Sequence, residues 1–169
     1  MYIETSRLSL KPFQDKDMDQ AIDMFVNDQI KQTYMLPDFE TREAAAKLFY
    51  RLKDLSLAEG RYVVGVYLKD EDRLIGFMND VEIVGDEIEL GYVIDPAYHN
   101  KGYATEALQG MIGYLLENGF GKVITGAFEE NQASIRFMEK NEMKKLEKID
   151  EIPYRGKTHR CVYYCAEKN

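Results

Sequence analysis

The sequence has no long apolar run. The longest unbroken stretches, such as Tyr62–Val66, are only a few residues, so no segment can cross a bilayer as a helix. The opening MYIETSRLSL carries Glu4 and lacks an apolar run of signal-peptide length, which makes the cytoplasm the expected location. Cysteine is scarce. Cys161 and Cys165 are four apart in a stretch that reads as strand, which puts them about 13 Å apart on one face, beyond the reach of a disulfide. Without a CxxC pair or a histidine cluster they read as buried, reduced thiols, and the two histidines, His99 and His159, fall in no HExxH pattern. No metal is expected. Positive charge is also short: 22 Lys plus Arg against 30 Asp plus Glu leave a net charge of −8. That field repels nucleic-acid phosphates and anionic membrane and attracts cationic partners such as amines, so neither nucleic acid nor membrane is an expected partner. Internal repeats, low-complexity tracts and Pro/Ser-rich linkers are absent, as are the nucleotide patterns GxxxxGK[ST] and GxGxxG.

What remains is 169 residues, 45 % apolar and 12 % aromatic, enough for one domain over residues 1–169 with its own core. Arg7–Lys11 alternates polar and apolar and stops at Pro12, a half-buried strand. Asp15 or Asp17 is placed to cap a helix carrying Met18, Ala21, Ile22, Phe25 and Val26, and a second helix runs from Thr41 until Gly60. The period then changes to two. Tyr62–Leu68, Leu74–Val84 and Glu87–Ile94 read as strands joined by short turns, an antiparallel meander. A helix from Gly102 to Asn118, strand Lys122–Ala127, helix Asn131–Asn141 and strands Met143–Ile149 and His159–Ala166 complete the order. An α+β fold follows, with a mixed, mostly antiparallel sheet of about seven strands, about four helices and one parallel join late in the chain.

The most informative segment is Glu89–Leu108. A strand ends before Pro96, a short loop follows, and an amphipathic helix begins near Gly102. The free backbone N–H groups of such a loop and first helical turn, with the helix dipole, suit a pyrophosphate. A plain strand-to-helix turn with ordinary capping accounts for the same pattern. His99-Asn100-Lys101-Gly102-Tyr103-Ala104 resembles the loop Gln/Arg-x-x-Gly-x-Gly/Ala of motif A in the GNAT family, the acetyl-CoA-dependent N-acetyltransferases, with His99 where Gln or Arg is usual. The opening Glu4–Leu10 is similar to the start of the branch containing ribosomal-protein and spermidine N-acetyltransferases. Asn131–Lys140 is similar to the family's motif B.

The resemblance implies the GNAT fold and transfer of acetyl from acetyl-CoA to a primary amine by direct attack. The acceptor would be a protein N-terminus, a polyamine or a small amine-bearing metabolite, and a homodimer is compatible with it. It also implies cofactor contacts from Tyr92, Val93 and Ile94 at a strand bulge, from the loop His99, Asn100, Lys101, Gly102, Tyr103, Ala104 and Thr105, and from Asn131 and Phe137 of motif B. N-acetylation must take a proton from an ammonium, hold a developing oxyanion and release a thiolate. Glu89, in what reads as a central strand where desolvation raises a carboxyl pKa, is the candidate base, with Asp80 and Glu82 as rivals. It fits equally a structural carboxylate. Where the family often has a thiolate-protonating tyrosine this chain has Met138, and Ser134, one turn earlier on the same face, is the substitute. Tyr34, Phe39, Phe49 and Tyr50 wall the acceptor pocket by analogy, Phe49 reading better as core. The missing tyrosine also leaves room for a non-catalytic CoA-binding or regulatory module.

Overall fold

The computed structural model describes residues 1–169 and turns these periodicities into strands β1 (Ile3–Glu4), β2 (Leu8–Lys11), β3 (Val64–Leu68), β4 (Arg73–Val84), β5 (Glu87–Ile94), β6 (Lys122–Phe128), β7 (Lys144–Tyr154) and β8 (Lys157–Glu167). The helices are α1 (Met18–Phe25), α2 (Asp28–Lys31), α3 (Arg42–Leu57), α4 (Tyr103–Glu117) and α5 (Gln132–Lys140). The sheet order is β1-β2-β3-β4-β5-β6-β8-β7. The β1–β2, β2–β3, β3–β4, β6–β8 and β7–β8 pairs are antiparallel, and β5–β6 is the parallel join, with Glu89 opposite Ile124. This is the expected α+β architecture. The eighth strand is the two-residue β1 and the fifth helix the single turn α2, both too short to show a period; α2 is marked instead by Asn27, whose side chain accepts from the Ile30 N–H at 3.1 Å.

Two local expectations need correction. Neither Asp15 nor Asp17 caps α1: they lie in a turn of 3₁₀ helix, and the Asp17 carboxylate accepts the Tyr67 hydroxyl at 2.8 Å. Tyr67 is fully buried, and its hydroxyl must find an acceptor that water cannot supply. Gly60 does not end α3. The helix begins at Thr41, whose hydroxyl accepts from the Ala44 N–H at 3.2 Å, and it stops where Ala58 turns extended; Gly60, at φ 75°, only redirects the chain beyond it.

The chain divides into two compact units, with cuts inside β4, β5 and α4. The first, Met1–Asp80 with Tyr92–Met111, has a core around Phe13, Ile22, Phe25, Phe49, Tyr67 and Phe77; the Phe25 and Phe77 rings meet edge to face at 5.7 Å. Phe49 is fully buried there, Tyr34 donates its hydroxyl to Asn79 at 2.7 Å, and Tyr50 is exposed. The second, Val81–Gly91 with Ile112–Asn169, buries Phe128, Cys161 and Tyr163, and both cysteines are buried free thiols on β8. No helix is long and apolar enough to cross a membrane.

Candidate active site

The loop after β5 is shaped by its own sequence. The Asp95 carboxylate accepts from the Ala97 N–H at 3.0 Å and Pro96–Tyr98 make one 3₁₀ turn. Asn100 and Gly102 then take left-handed backbone at φ 62° and 82°, conformations suited to Asn and Gly. The first bond of α4 runs from the Glu106 N–H to the Gly102 carbonyl at 3.1 Å. The amides of Tyr103, Ala104 and Thr105 therefore have no intrahelical acceptor and converge at the positive end of the helix dipole, a geometry built for an anion. His99 is tied back into the protein: its Nε2–H donates to the Ile94 carbonyl at 2.8 Å, which fixes the tautomer and fastens the loop to the end of β5.

On the other side of this loop Arg7 donates from Nη1 to the Lys101 carbonyl at 2.9 Å and from Nε to Glu106 at 2.7 Å, with its guanidinium 4.4 Å from the centre of the Tyr103 ring. The Thr5 hydroxyl donates to the same Glu106 carboxylate at 2.7 Å. Thr5, Arg7 and Glu106 were not among the expected site residues, although the spacing Thr5-x-Arg7 stands in the opening motif.

Along β5 the alternation of buried and half-buried residues holds from Glu87 to Gly91 and then breaks, Val93 and Ile94 being buried in succession after half-buried Tyr92. The facing glycine explains how this backbone packs. A Cβ at Gly76 would lie 2.2 Å from the Val93 carbonyl oxygen, so only glycine fits. A glycine inside a strand pattern is the signal that could have marked it.

In the second unit Asn131 caps α5: its Oδ1 accepts from the Ser134 N–H at 3.2 Å and its Nδ2 donates to the Ser134 hydroxyl oxygen at 2.8 Å. Ser134 is thus held by Asn131 and not bonded back to the carbonyl of the preceding turn, and its own O–H remains a donor. Phe137 is half-buried, and Met138 is fully buried with its sulfur facing the buried Thr125 hydroxyl at 2.9 Å.

Glu89 is half-buried, and its carboxyl is pushed above the ordinary glutamate range, chiefly by burial; Lys148 works against this, while Glu82 and Asp150 add to it. Of its two rivals, Asp80 is taken. Both its oxygens accept from Arg61, each at 2.8 Å, and the Tyr62 N–H adds a third contact at 3.3 Å. Glu82 is exposed.

Residues 7–144 match the acetyltransferase (GNAT) domain family. The chain belongs to the GNAT acetyltransferases. It is 35 % identical to YnaD, an uncharacterized N-acetyltransferase of Bacillus subtilis, over 147 residues, 86 % of this chain and 84 % of that one. The crystal structure of a GNAT-family acetyltransferase from Bacillus anthracis overlays with a TM-score of 0.85 at 27 % identity, covering 99 % of this chain and 98 % of the other. RimL, a ribosomal L7/L12 α-N-protein acetyltransferase solved with coenzyme A, has a TM-score of 0.84 at 14 % identity over 99 % of this chain and 98 % of its own, a likeness of fold.

Membership makes this acetyltransferase an enzyme and displaces the reading of a non-catalytic binding module. The GNAT family uses acetyl-CoA, and the residues present fit it. A loop with two left-handed residues and a run of amides without an intrahelical acceptor suits a pyrophosphate. No group of three or more His, Cys, Asp or Glu side chains is placed to hold a metal ion.

Proposed function

We propose that this GNAT acetyltransferase, acting as one domain over residues 1–169 in the cytoplasm, transfers the acetyl group of acetyl-CoA to a primary amine by direct attack. The observation that carries this reading is the anion-binding loop, in which left-handed Asn100 and Gly102 lead into the unpaired amides of α4. When bound, acetyl-CoA supplies an activated thioester carbonyl. The amides of Tyr103, Ala104 and Thr105 hold the pyrophosphate, with His99, Asn100, Lys101 and Gly102 setting the loop. Tyr92, Val93 and Ile94 line the pantetheine end, and Asn131 and Phe137 contact the arm. Glu89 takes the proton from the acceptor ammonium, its raised pKa making it a stronger base than an ordinary glutamate. The Ser134 O–H donates toward the departing sulfur.

The acceptor is a protein N-terminus, a polyamine or a small amine-bearing metabolite, and the net charge of −8 favours cationic amines over neutral or anionic ones. RimL, whose name gives its substrate as the α-amine of ribosomal L7/L12, makes an N-terminal peptide the first acceptor to try. Thiol release from acetyl-CoA, followed with a panel of N-terminal peptides, polyamines and small amines, tests the reading. One class should raise release well above the amine-free rate; no increase with any of them would overturn it.

A further inference from the structure

The opening segment Glu4–Leu10 sends Leu8 and Leu10 into the core and, beside them, makes a polar cluster around Glu106 that the chemistry above does not use. Glu106 receives three hydrogen bonds from it: the Thr5 hydroxyl at 2.7 Å, the Arg7 N–H at 2.6 Å and the Arg7 Nε–H at 2.7 Å. Thr5 is itself fixed, accepting from the Leu8 N–H at 3.0 Å. One further arm of the Arg7 fork reaches the Lys101 carbonyl at 2.9 Å, and its Nη2 would lie 3.3 Å from a Cβ on Gly102.

Two physical consequences follow. A trans peptide is planar, with its C=O and N–H pointing in opposite directions. Holding the Lys101 carbonyl against Arg7 therefore aims the Gly102 N–H away from Arg7, where it stands as a donor with the amides that follow it. The second consequence is electrostatic. Glu106 lies in the first turn of α4, and burial works against its charge, but the Thr5 hydroxyl and the Arg7 amide and guanidinium overcome this and hold the carboxyl below its ordinary range. It is an anion at neutral pH, close to where another anion is to bind, and unbalanced it would repel a phosphate.

We propose that Arg7 is a positioning residue of the pyrophosphate loop, fixing the Lys101–Gly102 peptide by its carbonyl and cancelling the Glu106 charge at the start of α4. The inference rests on the loop being the acetyl-CoA site. It explains how the loop keeps its shape with His99 spent on the Ile94 carbonyl, because the planar fork of an arginine holds a carbonyl and a carboxylate at once.

The test compares coenzyme A with pantetheine, which lacks the phosphates, by calorimetric titration of the wild type, Arg7→Met and Arg7→Met/Glu106→Gln. In Arg7→Met the ratio of coenzyme A to pantetheine affinity falls at least tenfold. The double variant, with no unbalanced carboxylate, regains at least threefold of that loss, and added salt narrows the gap between the two variants. An unchanged ratio, or an equal loss for both ligands, would overturn the proposal, the second because it marks general loosening of the fold. If Arg7→Met does not fold, Arg7→Lys makes the same comparison: it keeps the charge but lacks the fork, so a several-fold drop in the ratio is expected and no drop overturns the proposal. Wild-type protein that binds no coenzyme A would overturn the cofactor reading and this inference with it, whereas tight wild-type binding with an unchanged ratio would remove Arg7 alone.

Discussion

The Met138 sulfur accepts the Thr125 hydroxyl at 2.9 Å, and both residues are fully buried. Met138 stands where related enzymes often carry a tyrosine, but here it is a core residue on the inner face of α5. Restoring the tyrosine would add a ring to a filled space and displace the acceptor of a buried hydroxyl. Met138→Tyr should therefore lose about 1–3 kcal/mol of stability from overpacking. Denaturant unfolding would show it, and single-turnover kinetics at a temperature where both proteins are folded should show no gain in rate. A faster variant would mean that the tyrosine hydroxyl reaches the leaving thiolate after all.

Gly102 carries a left-handed φ of 82° inside the anion loop. Gly102→Glu strains the backbone, crowds Arg7 and places a carboxylate beside the phosphates. Coenzyme A affinity should fall at least tenfold in a calorimetric titration; equal affinities would take the loop out of the site.

How much of this was legible beforehand depends on the range of the interaction. The β5–α4 loop was readable because its glycine, its short length and the helix after it are all local in sequence. The hairpins of β3, β4 and β5 were readable for the same reason, their alternation and turns lying within a few residues of each other. Arg7 and Glu106 were not, since they are separated by about a hundred positions and nothing in either neighbourhood announces the other. The side chain of Asp17 departs from expectation for a related reason: a local rule offers it as a helix cap, but a buried tyrosine fifty residues away claims it. By its place on β4 Asp80 is as eligible a base as Glu89, but Arg61, nineteen residues away, holds both its oxygens.

Asn131 serves α5 before it serves any ligand, since its side chain both accepts from and donates to Ser134. Asn131→Ala should cost about 0.5–2 kcal/mol of stability through the lost cap. Asn131→Asp keeps the capping oxygen, replaces the amide donor by a second acceptor oxygen and adds a negative charge. It should unfold near the wild-type midpoint while raising the KM for acetyl-CoA several-fold, and an unaltered KM would confine Asn131 to its capping role.

Gly76 leaves no room for a side chain, its absent Cβ lying 2.2 Å from the Val93 carbonyl oxygen. Because the obstacle is backbone and not the end of a flexible side chain, Gly76→Ala must push β5 away at Val93 and Ile94. A loss of about 1–3 kcal/mol in denaturant unfolding is expected, comparable to other overpacking changes. Turnover measured well below the unfolding midpoint should fall as well, because the displaced amides are those proposed to face the pantetheine end. Stability loss with full activity would detach Val93 and Ile94 from the cofactor.

Glu89 sets the pH dependence of the reaction if it is the base. Its carboxyl is raised above the ordinary value of 4.5, so the working, ionised form is present above that raised pKa and is lost as pH falls through it. The acidic limb of the rate should therefore lie above the range of an exposed glutamate. Burial is the main cause of the rise, Glu82 and Asp150 add to it and Lys148 opposes it, so Glu82→Gln should move the limb to lower pH and Lys148→Met to higher pH. Glu89→Gln keeps the shape and removes the basicity. At saturating acetyl-CoA and acceptor its rate should drop by about 10²–10⁴-fold with little change in cofactor affinity. The acceptor's own ammonium also titrates, and repeating the profile with an amine of lower pKa separates the two. A limb that follows the amine, survives in Glu89→Gln and ignores both neighbouring variants would leave Glu89 as a structural carboxylate, and exposed Glu82 would be the next candidate because Arg61 already holds Asp80.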